Sequence, residues 1–490
     1  MSGVGVLDPA CNRIPDQVHH IHIMGVCGTG MASLAGMLKE RGFRISGSDE
    51  NVYPPMSEFL AAVGIPVQRG YDGKNLQPRP DLVVVGNVIR ATNPEAVALG
   101  ELGIPYVSMP QALGFFFLER RTPLVVCGTH GKTTTSSLLA SALFHARHDP
   151  GFLIGGIVRE FNRSYGLGSG EYFVVEGDEY DTAFFDKESK FFHYRPACAI
   201  LTSVEFDHAD IFRDLNAIRR AFKRFIALLP ATGVLVACGD DAEVMRLAGE
   251  AGCEVITYGG GNGCSWTLDD YRIRGSWSEF TLIHDNKRWG PFTVPLPGRH
   301  NILNSMAVIA LLHRLGLAEE AISRGFKAFG GIKRRQQIRG VEKGITVIDD
   351  FAHHPTAVRE TLAALKAGYC GPHTGGRLIA VFEPRTNSSR RNIFQEKYAR
   401  AFDAADLVLV REHVPLPGLS RREQFSSEKL VTDLSARGIN AHYFDDTGRI
   451  LDYLLAHARR RDIIAVLSNG GFDNIHVRLL EGLRNLPATP

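Results

Sequence analysis

The chain has 490 residues, 44% apolar and 22% charged, which is enough for roughly three domains of ordinary size and excludes a disordered or fibrous protein. Lys and Arg number 55 against 53 Asp and Glu, so a net charge of +2 gives no electrostatic reason to expect nucleic acid as a partner. The 8 cysteines form no Cys-x-x-Cys pair, the start lacks an export signal, and no apolar run reaches about 18 residues, so a cytoplasmic protein without disulfides, zinc or a membrane span is expected.

Three times an apolar, strand-like run enters a Gly-rich turn and then a helical pattern, which is how a parallel α/β sheet opens. Residues 1–18 read as a flexible extension. The unit at 19–118 opens with Ile21–Gly25, continues through a second strand at Arg44–Asp49, and includes an apolar run over residues 81 to 87. Its turn reads Gly25-x-x-Gly28-x-Gly30. Ser33 stands where the dinucleotide fingerprint has its last glycine, while Asp49 ends the second strand where an acid could bind ribose. The turn fits NAD or another diphosphate equally, because a helix N-terminus reads charge and not the base.

The unit at 119–332 follows the basic pair Arg120 and Arg121. A strand from Pro123 leads into Gly128-Thr129-His130-Gly131-Lys132-Thr133-Thr134 and then a helix. A phosphate suits this arrangement: backbone N–H groups donate to its oxygens, Lys132 neutralises charge, and the Thr133 hydroxyl can hold Mg²⁺. Val126 stands where the usual pattern has its first glycine. A neighbouring strand ends in Glu176, followed by Asp178, Glu179 and Asp181; Glu176 is best placed for a metal, and a solvated acidic turn is the plain alternative. The next strand ends in Glu205, Asp207, His208 and Asp210, where His208 alone reads as readily structural. Residues 254 to 296 alternate as antiparallel hairpins do, and a helix over 301–316 should return the chain to the core. Asn301 and Asn304 share a face of that helix, although Asn304 could equally be a cap. The unit at 333–490 carries four more strand-like runs separated by helices, a second open α/β sheet.

In order along nearly the whole chain, VCGTGMASLAG, GTHGKTTT, VEGDEYD, EFDHADIF, GRHNILNSMA, KRRQQ, DDFAHHPTA and FEPRTNSS resemble the Mur ligase family, which builds the peptide of bacterial cell-wall precursors. The resemblance implies an α/β, three-domain architecture: a Rossmann-like N-terminal domain, a P-loop ATPase-like central domain carrying a small antiparallel β part, and a Rossmann-like C-terminal domain. It implies a ligase using ATP and Mg²⁺ to join a carboxylate to an amine through an acyl phosphate. The His-His-Pro and DHAD segments are similar to the subgroup acting on UDP-N-acetylmuramate. Where the alanine-adding member has DDYGHHPT and a proline-histidine-arginine-tyrosine segment, this chain has Asp349–His354 and Glu383-Pro384-Arg385-Thr386-Asn387. Together with Val52–Ser57 and Leu467–Phe472, these departures resemble the member that attaches the whole tripeptide L-alanyl-γ-D-glutamyl-meso-diaminopimelate during cell-wall recycling.

The resemblance also implies roles. Gly128 to Thr134 surround the phosphates, with Lys132 on the β and γ groups and His130 either touching nucleotide or serving only the turn. Thr133 and Glu176 hold one Mg²⁺ and His208 a second. Asn301 and Asn304 lie near adenine, and Arg335 and Asp350 reach ATP from the third domain, so the site is complete only when domains close. Phe351, His353 and Arg385 form the amine pocket, with Arg385 pairing a peptide carboxylate. The base for the amine stays open, His353 being one candidate. Gly28, Thr29, Gly30 and Met31 cradle the sugar diphosphate, with Ser48, Asp49 and Asn87 facing the same cleft. Two readings of other classes are a NAD-dependent oxidoreductase, which leaves GTHGKTTT unexplained, and a non-catalytic nucleotide-binding protein, which predicts binding without phosphate release.

Overall fold

The structure, a computed structural model, describes residues 7–261, 263–371 and 375–486. The first sheet contains β1 (His20–Met24), β2 (Arg44–Asp49), β3 (Val67–Arg69), β4 (Leu82–Val85) and β5 (Tyr106–Ser108), all parallel, in the order β3-β2-β1-β4-β5. Helices cover both faces of such a sheet, so its middle strands can be apolar throughout, as Leu82-Val-Val-Val85 is. Part of the expected flexible extension is instead packed on this unit. Leu7 is buried, Tyr106 Oη donates to the Asp8 carbonyl (3.2 Å), and Asn12 Nδ2 donates to the Tyr106 carbonyl (3.1 Å). An apolar seat for Leu7 and paired amides at Asn12 and Gln111 supply what composition does not reveal. Residues 1–6 lie outside the described part.

The central unit holds β6 (Thr122–Cys127), β7 (Gly151–Val158), β8 (Arg163–Gly166), β9 (Tyr172–Gly177), a separate hairpin of β10 (Asp181–Ala183) and β11 (Asp186–Ser189), then β12 (Cys198–Leu201), β13 (Val234–Cys238), β14 (Glu254–Gly259), β15 (Trp266–Arg274), β16 (Trp277–His284) and β17 (Lys287–Val294). Its main sheet runs β17-β16-β15-β14-β13-β12-β6-β9-β7-β8. The stretch from β14 to β7 is parallel, so residues 254–259, expected as part of the hairpins, instead extend the parallel core; β15 joins β14 in parallel, and β15, β16 and β17 form the antiparallel appendage expected from their alternation. Helices Lys132–His145 and Arg299–Arg314 are buried over most of their length against this sheet; the second begins two residues before the stretch read from the sequence.

The last sheet contains β18 (Gln337–Glu342), β19 (Ile345–Asp350), β20 (Leu378–Phe382), β21 (Leu407–Arg411), β22 (Ala441–Phe444) and β23 (Ile463–Leu467) in the order β18-β19-β23-β20-β21-β22, parallel apart from β18. Helix Pro355–Tyr369 follows β19 and crosses back to the central unit, where the Gly368 carbonyl accepts from the Gly275 N–H at 2.9 Å. A β-carbon on Gly368 would lie 2.4 Å from the Gly275 carbonyl oxygen. All 8 cysteines are free, with Cys127, Cys198 and Cys238 buried, and no described helix is long and apolar enough to cross a membrane.

Candidate active site

The Gly128–Thr134 turn sits between β6 and its helix, at the carboxyl end of the parallel strands where open α/β sheets place their ligands. Gly128 (φ +127°) and Gly131 (φ +80°) adopt left-handed backbone, and β-carbons there would approach Thr202 Oγ1 to 2.2 Å and Asn304 Oδ1 to 2.6 Å. Gly131 caps the helix without a side-chain bond to its first N–H groups, which leaves those donors for an anion. Lys132 Nζ folds back to the Gly128 carbonyl (2.6 Å) and to Glu179 Oε2 (2.8 Å). Burial works to lower the Lys132 pKa, but Glu179 and Asp178 outweigh it and raise it. Thr133 Oγ1 donates to Glu176 Oε1 (2.9 Å) and accepts from Arg335 Nη2 (3.3 Å), while the Gly155 N–H fixes the other Glu176 oxygen at 2.7 Å.

The strand end after β12 lies alongside. His208, itself at φ +54°, places Nε2 3.1 Å from Glu179 Oε1. Burial lowers the imidazole pKa, yet Glu179 and Asp207 raise it overall. One carboxylate, Glu179, therefore holds both Lys132 and His208. Glu205 Oε2 accepts from His130 Nε2 (2.9 Å) and from Thr356 Oγ1 (2.8 Å) of the third unit. The His130 and His354 rings meet at a tilt of 44° with centroids 4.6 Å apart, and burial pushes the His354 pKa well down.

From the third unit, buried Asp350 accepts from the Gln336 N–H (2.7 Å) and the Ala352 N–H (2.8 Å), which fixes the loop after β19. Burial raises its pKa. Arg334 and Arg335 lie over the Phe351 ring at 5.2 and 4.7 Å. His353 Nδ1 is 3.0 Å from the Phe351 carbonyl; that oxygen only accepts, so Nδ1 carries the proton and Nε2 the lone pair. Burial also lowers the His353 pKa, favouring this neutral form.

These groups enclose a cavity of about 500 Å³. It brings together Thr129 to Thr134, Glu176, His208, Asn301, Asn304, Arg335, Asp350, Phe351 and His353. Asn304 is no cap, since Gly298 caps that helix; its amide faces Asn301 Oδ1 at 3.4 Å and its oxygen abuts Gly131. Arg385 lies outside the cavity lining, half-exposed against Gly470 and 3.7 Å from Glu383 Oε1. Sequence reasoning assigned no role to Glu179, Glu205, His354 or Thr356, although all four fall within or beside motifs it quoted.

The N-terminal turn is separate. Gly28, Thr29, Gly30 and Asn87 are exposed, Met31 is buried, and Gly28 caps helix Thr29–Glu40 without a side-chain bond. Ser48 does not face this cleft: it is fully buried and donates to Glu95 Oε1 at 2.7 Å, because His22 and Glu95 draw polar groups inward beneath the sheet. Asp49 is also buried, its oxygens taken by the N–H groups of Cys27 (2.8 Å) and Asn51 (2.9 Å), so it shapes the turn.

For a cation, Thr133 and Glu176 offer adjacent hard oxygen donors of the kind Mg²⁺ takes. The ligand atoms of His130, Glu205 and His354 also lie within 4.8 Å of one another, but His354 Nδ1 accepts from the Thr356 N–H (3.2 Å) and Glu205 is engaged as above.

Family models match in the same order: the Mur ligase family catalytic domain over residues 20–121, the Mur ligase middle domain over 126–312, and the Mur ligase glutamate ligase domain over 334–470. The UDP-N-acetylmuramate–L-alanyl-γ-D-glutamyl-meso-2,6-diaminoheptandioate ligase of Haemophilus influenzae is 39% identical over 466 residues, covering 95% of this chain and 99% of the relative. The chain belongs to the Mur ligase family. A UDP-N-acetylmuramate–L-alanine ligase of Clostridium botulinum is 34% identical over 464 residues, covering 93% and 96%. The crystal structure of a murein peptide ligase from Psychrobacter arcticus superposes with a TM-score of 0.70 at 35% identity, covering 96% of this chain and all of that one. Membership of the Mur ligase family accounts for both glycine turns together and removes the oxidoreductase reading.

Proposed function

We propose that this Mur ligase joins the tripeptide L-alanyl-γ-D-glutamyl-meso-diaminopimelate to UDP-N-acetylmuramate at the expense of ATP, in the cytoplasm, as a step of cell-wall recycling. Residues 19–118 bind the sugar nucleotide, 119–332 bind ATP, and 333–490 bind the peptide. The observation that carries this reading is the greater likeness, over nearly equal lengths, to a relative named for the tripeptide (39%) than to one named for alanine (34%).

A carboxylate and an amine do not condense unaided in water, because the oxygen that must leave is a poor leaving group. The muramyl carboxylate oxygen first takes the γ-phosphoryl group and ADP leaves. The peptide amine then attacks the acyl carbon, the carbon–oxygen bond to phosphate breaks, and the amine proton passes to a base. Lys132 and the N–H groups after Gly131 hold the phosphates in line, so the chain's contribution is mainly position and charge. Thr133 and Glu176 would hold one Mg²⁺ and His208 a second; when bound, these ions neutralise phosphate charge. Asn301 and Asn304 border the nucleotide, and Arg335 reaches Thr133 from the third unit. His353 Nε2, neutral and carrying a lone pair, is the group to take the amine proton. Arg385 meets a peptide carboxylate further out. The N-terminal turn from Gly28 to Met31 takes the sugar diphosphate.

Phosphate release is measured with ATP and UDP-N-acetylmuramate, offering L-alanine in one reaction and the tripeptide in the other, with Lys132→Ala as control. Turnover with the tripeptide alone is expected. Turnover with L-alanine alone makes the protein the alanine-adding enzyme, and turnover with neither overturns the ligase reading for these substrates.

A further inference from the structure

The segment Ser203–Asp210 has two faces of contact. Towards the central unit it braces the phosphate turn: the Thr129 N–H donates to the Ser203 carbonyl (2.9 Å), the His130 N–H to Ser203 Oγ (3.0 Å), and the Glu205 N–H to Thr129 Oγ1 (2.8 Å). Towards the third unit it forms a strip on which that unit rests. Thr356 Oγ1 donates to Glu205, Phe206 meets Phe394 edge-on, the Ala209 N–H donates to Ser388 Oγ (3.3 Å), and Asn387 Nδ2 donates to Asp210 Oδ2 (3.0 Å).

Both faces meet at one atom. Glu205 Oε2 is shared by His130, inside the phosphate turn, and Thr356, at the first turn of the helix that follows β19. Without the Thr356 hydroxyl the carboxylate loses the partner that fixes its direction, and the side chain, 38% exposed, turns more freely towards solvent. His130 then loses its own anchor. Neither Glu205 nor Thr356 need touch a reacting atom for this to matter.

We propose that Glu205 is a positioning residue that makes the shape of the central phosphate turn depend on whether the third domain is docked. Phosphoryl transfer is thereby favoured when the amine-binding domain is already in place, and the acyl phosphate is not formed facing open water. The catalytic part of this inference rests on the ligase reading above; the structural part does not.

Two readouts separate them. Hydrogen–deuterium exchange of the full chain is followed at residues 129–131 for wild type, Thr356→Val and Glu205→Gln, without substrates. Exchange faster by about threefold or more in both variants is expected, since a bond lost at a distance loosens the turn locally. Phosphate release is then compared for Thr356→Val, Glu205→Ala and the double variant. A loss in kcat of about tenfold for each single variant, no further loss in the double, and little change in KM for ATP are expected from one shared pathway. Unchanged exchange in Thr356→Val, or kcat losses that multiply in the double variant, would overturn the proposal. If Glu205→Ala fails to fold, Thr356→Val alone decides through exchange and kcat. Wild type without turnover defeats the ligase reading, while the exchange result still judges the coupling.

Discussion

Two glycine turns open two domains of this chain, and they are built differently. The turn at Gly28 is exposed, has no lysine behind it, and is held by a single buried carboxylate, Asp49, on the Cys27 N–H. The turn at Gly128 is enclosed, carries Lys132, and is surrounded by Glu176, Glu179 and Glu205, each bound to a named donor. The difference fits the proposed roles: a turn that only holds a diphosphate needs open N–H groups, whereas one where a phosphoryl group moves needs charge fixed in advance, so that nothing has to reorient during transfer.

Removing the fixed charge should show the largest effect. Lys132→Ala is expected to lower phosphate release by about 10²-fold or more at saturating substrates, as loss of a preorganised electrostatic group does. A fall of only a few fold would place the two turns in one class. Glycine substitution tests how tightly each is enclosed. Gly128→Ala meets Thr202 Oγ1 and the Ser203 backbone and should cost about 2–3 kcal/mol in stability, whereas Gly28→Ala, with nothing nearer than 3.5 Å, should stay within about 0.5 kcal/mol by urea unfolding. Asp49→Asn should raise KM for UDP-N-acetylmuramate by about tenfold with kcat unchanged, as expected for one charge-assisted hydrogen bond lost from a binding site.

The smallest effect concerns pH. Burial would raise the Asp178 pKa from 3.8, but Lys190 and Lys132 outweigh it and hold it at about 2, with Lys190 Nζ at 2.7 Å from Oδ2. A carboxylate depressed in the folded state contributes stability that is fully present above its unfolded value and is lost as pH falls towards the folded one. The gap in urea midpoint between wild type and Asp178→Asn should therefore be full at pH 5 and narrow from about pH 4 towards 3. A constant gap would show that the pair's charge is not involved.

What the sequence made legible follows the reach of its signals. The Gly128–Thr134 turn lies in seven consecutive residues between a strand and a helix, so its place in the fold could be read directly. The parallel strands announced themselves as apolar runs, and the alternation after residue 254 marked β15 to β17. Arg335, Asp350, Phe351 and His353 were legible only through family resemblance, because the sheet of another unit carries them to the cavity. Glu179 could not be told from Asp178 and Asp181, since only the folded turn shows which acid faces Lys132. The contact of Glu205 with Thr356 spans 151 residues and leaves no local trace. Ser48 was misread because strand alternation gives the side of a sheet, and the buried His22–Glu95 pair decides what that side contains.

The Gly275–Gly368 contact gives the third domain a second point of support, far along the helix from Thr356. Neither residue presents a side chain, so backbone rests directly on backbone. A single methyl group on Gly368 would act as a wedge, pushing that end of the helix away from the Gly275 backbone and straining the seat of its first turn on Glu205. How closely the two units approach at this point is thus set at a place with no chemistry of its own, by the absence of a carbon atom.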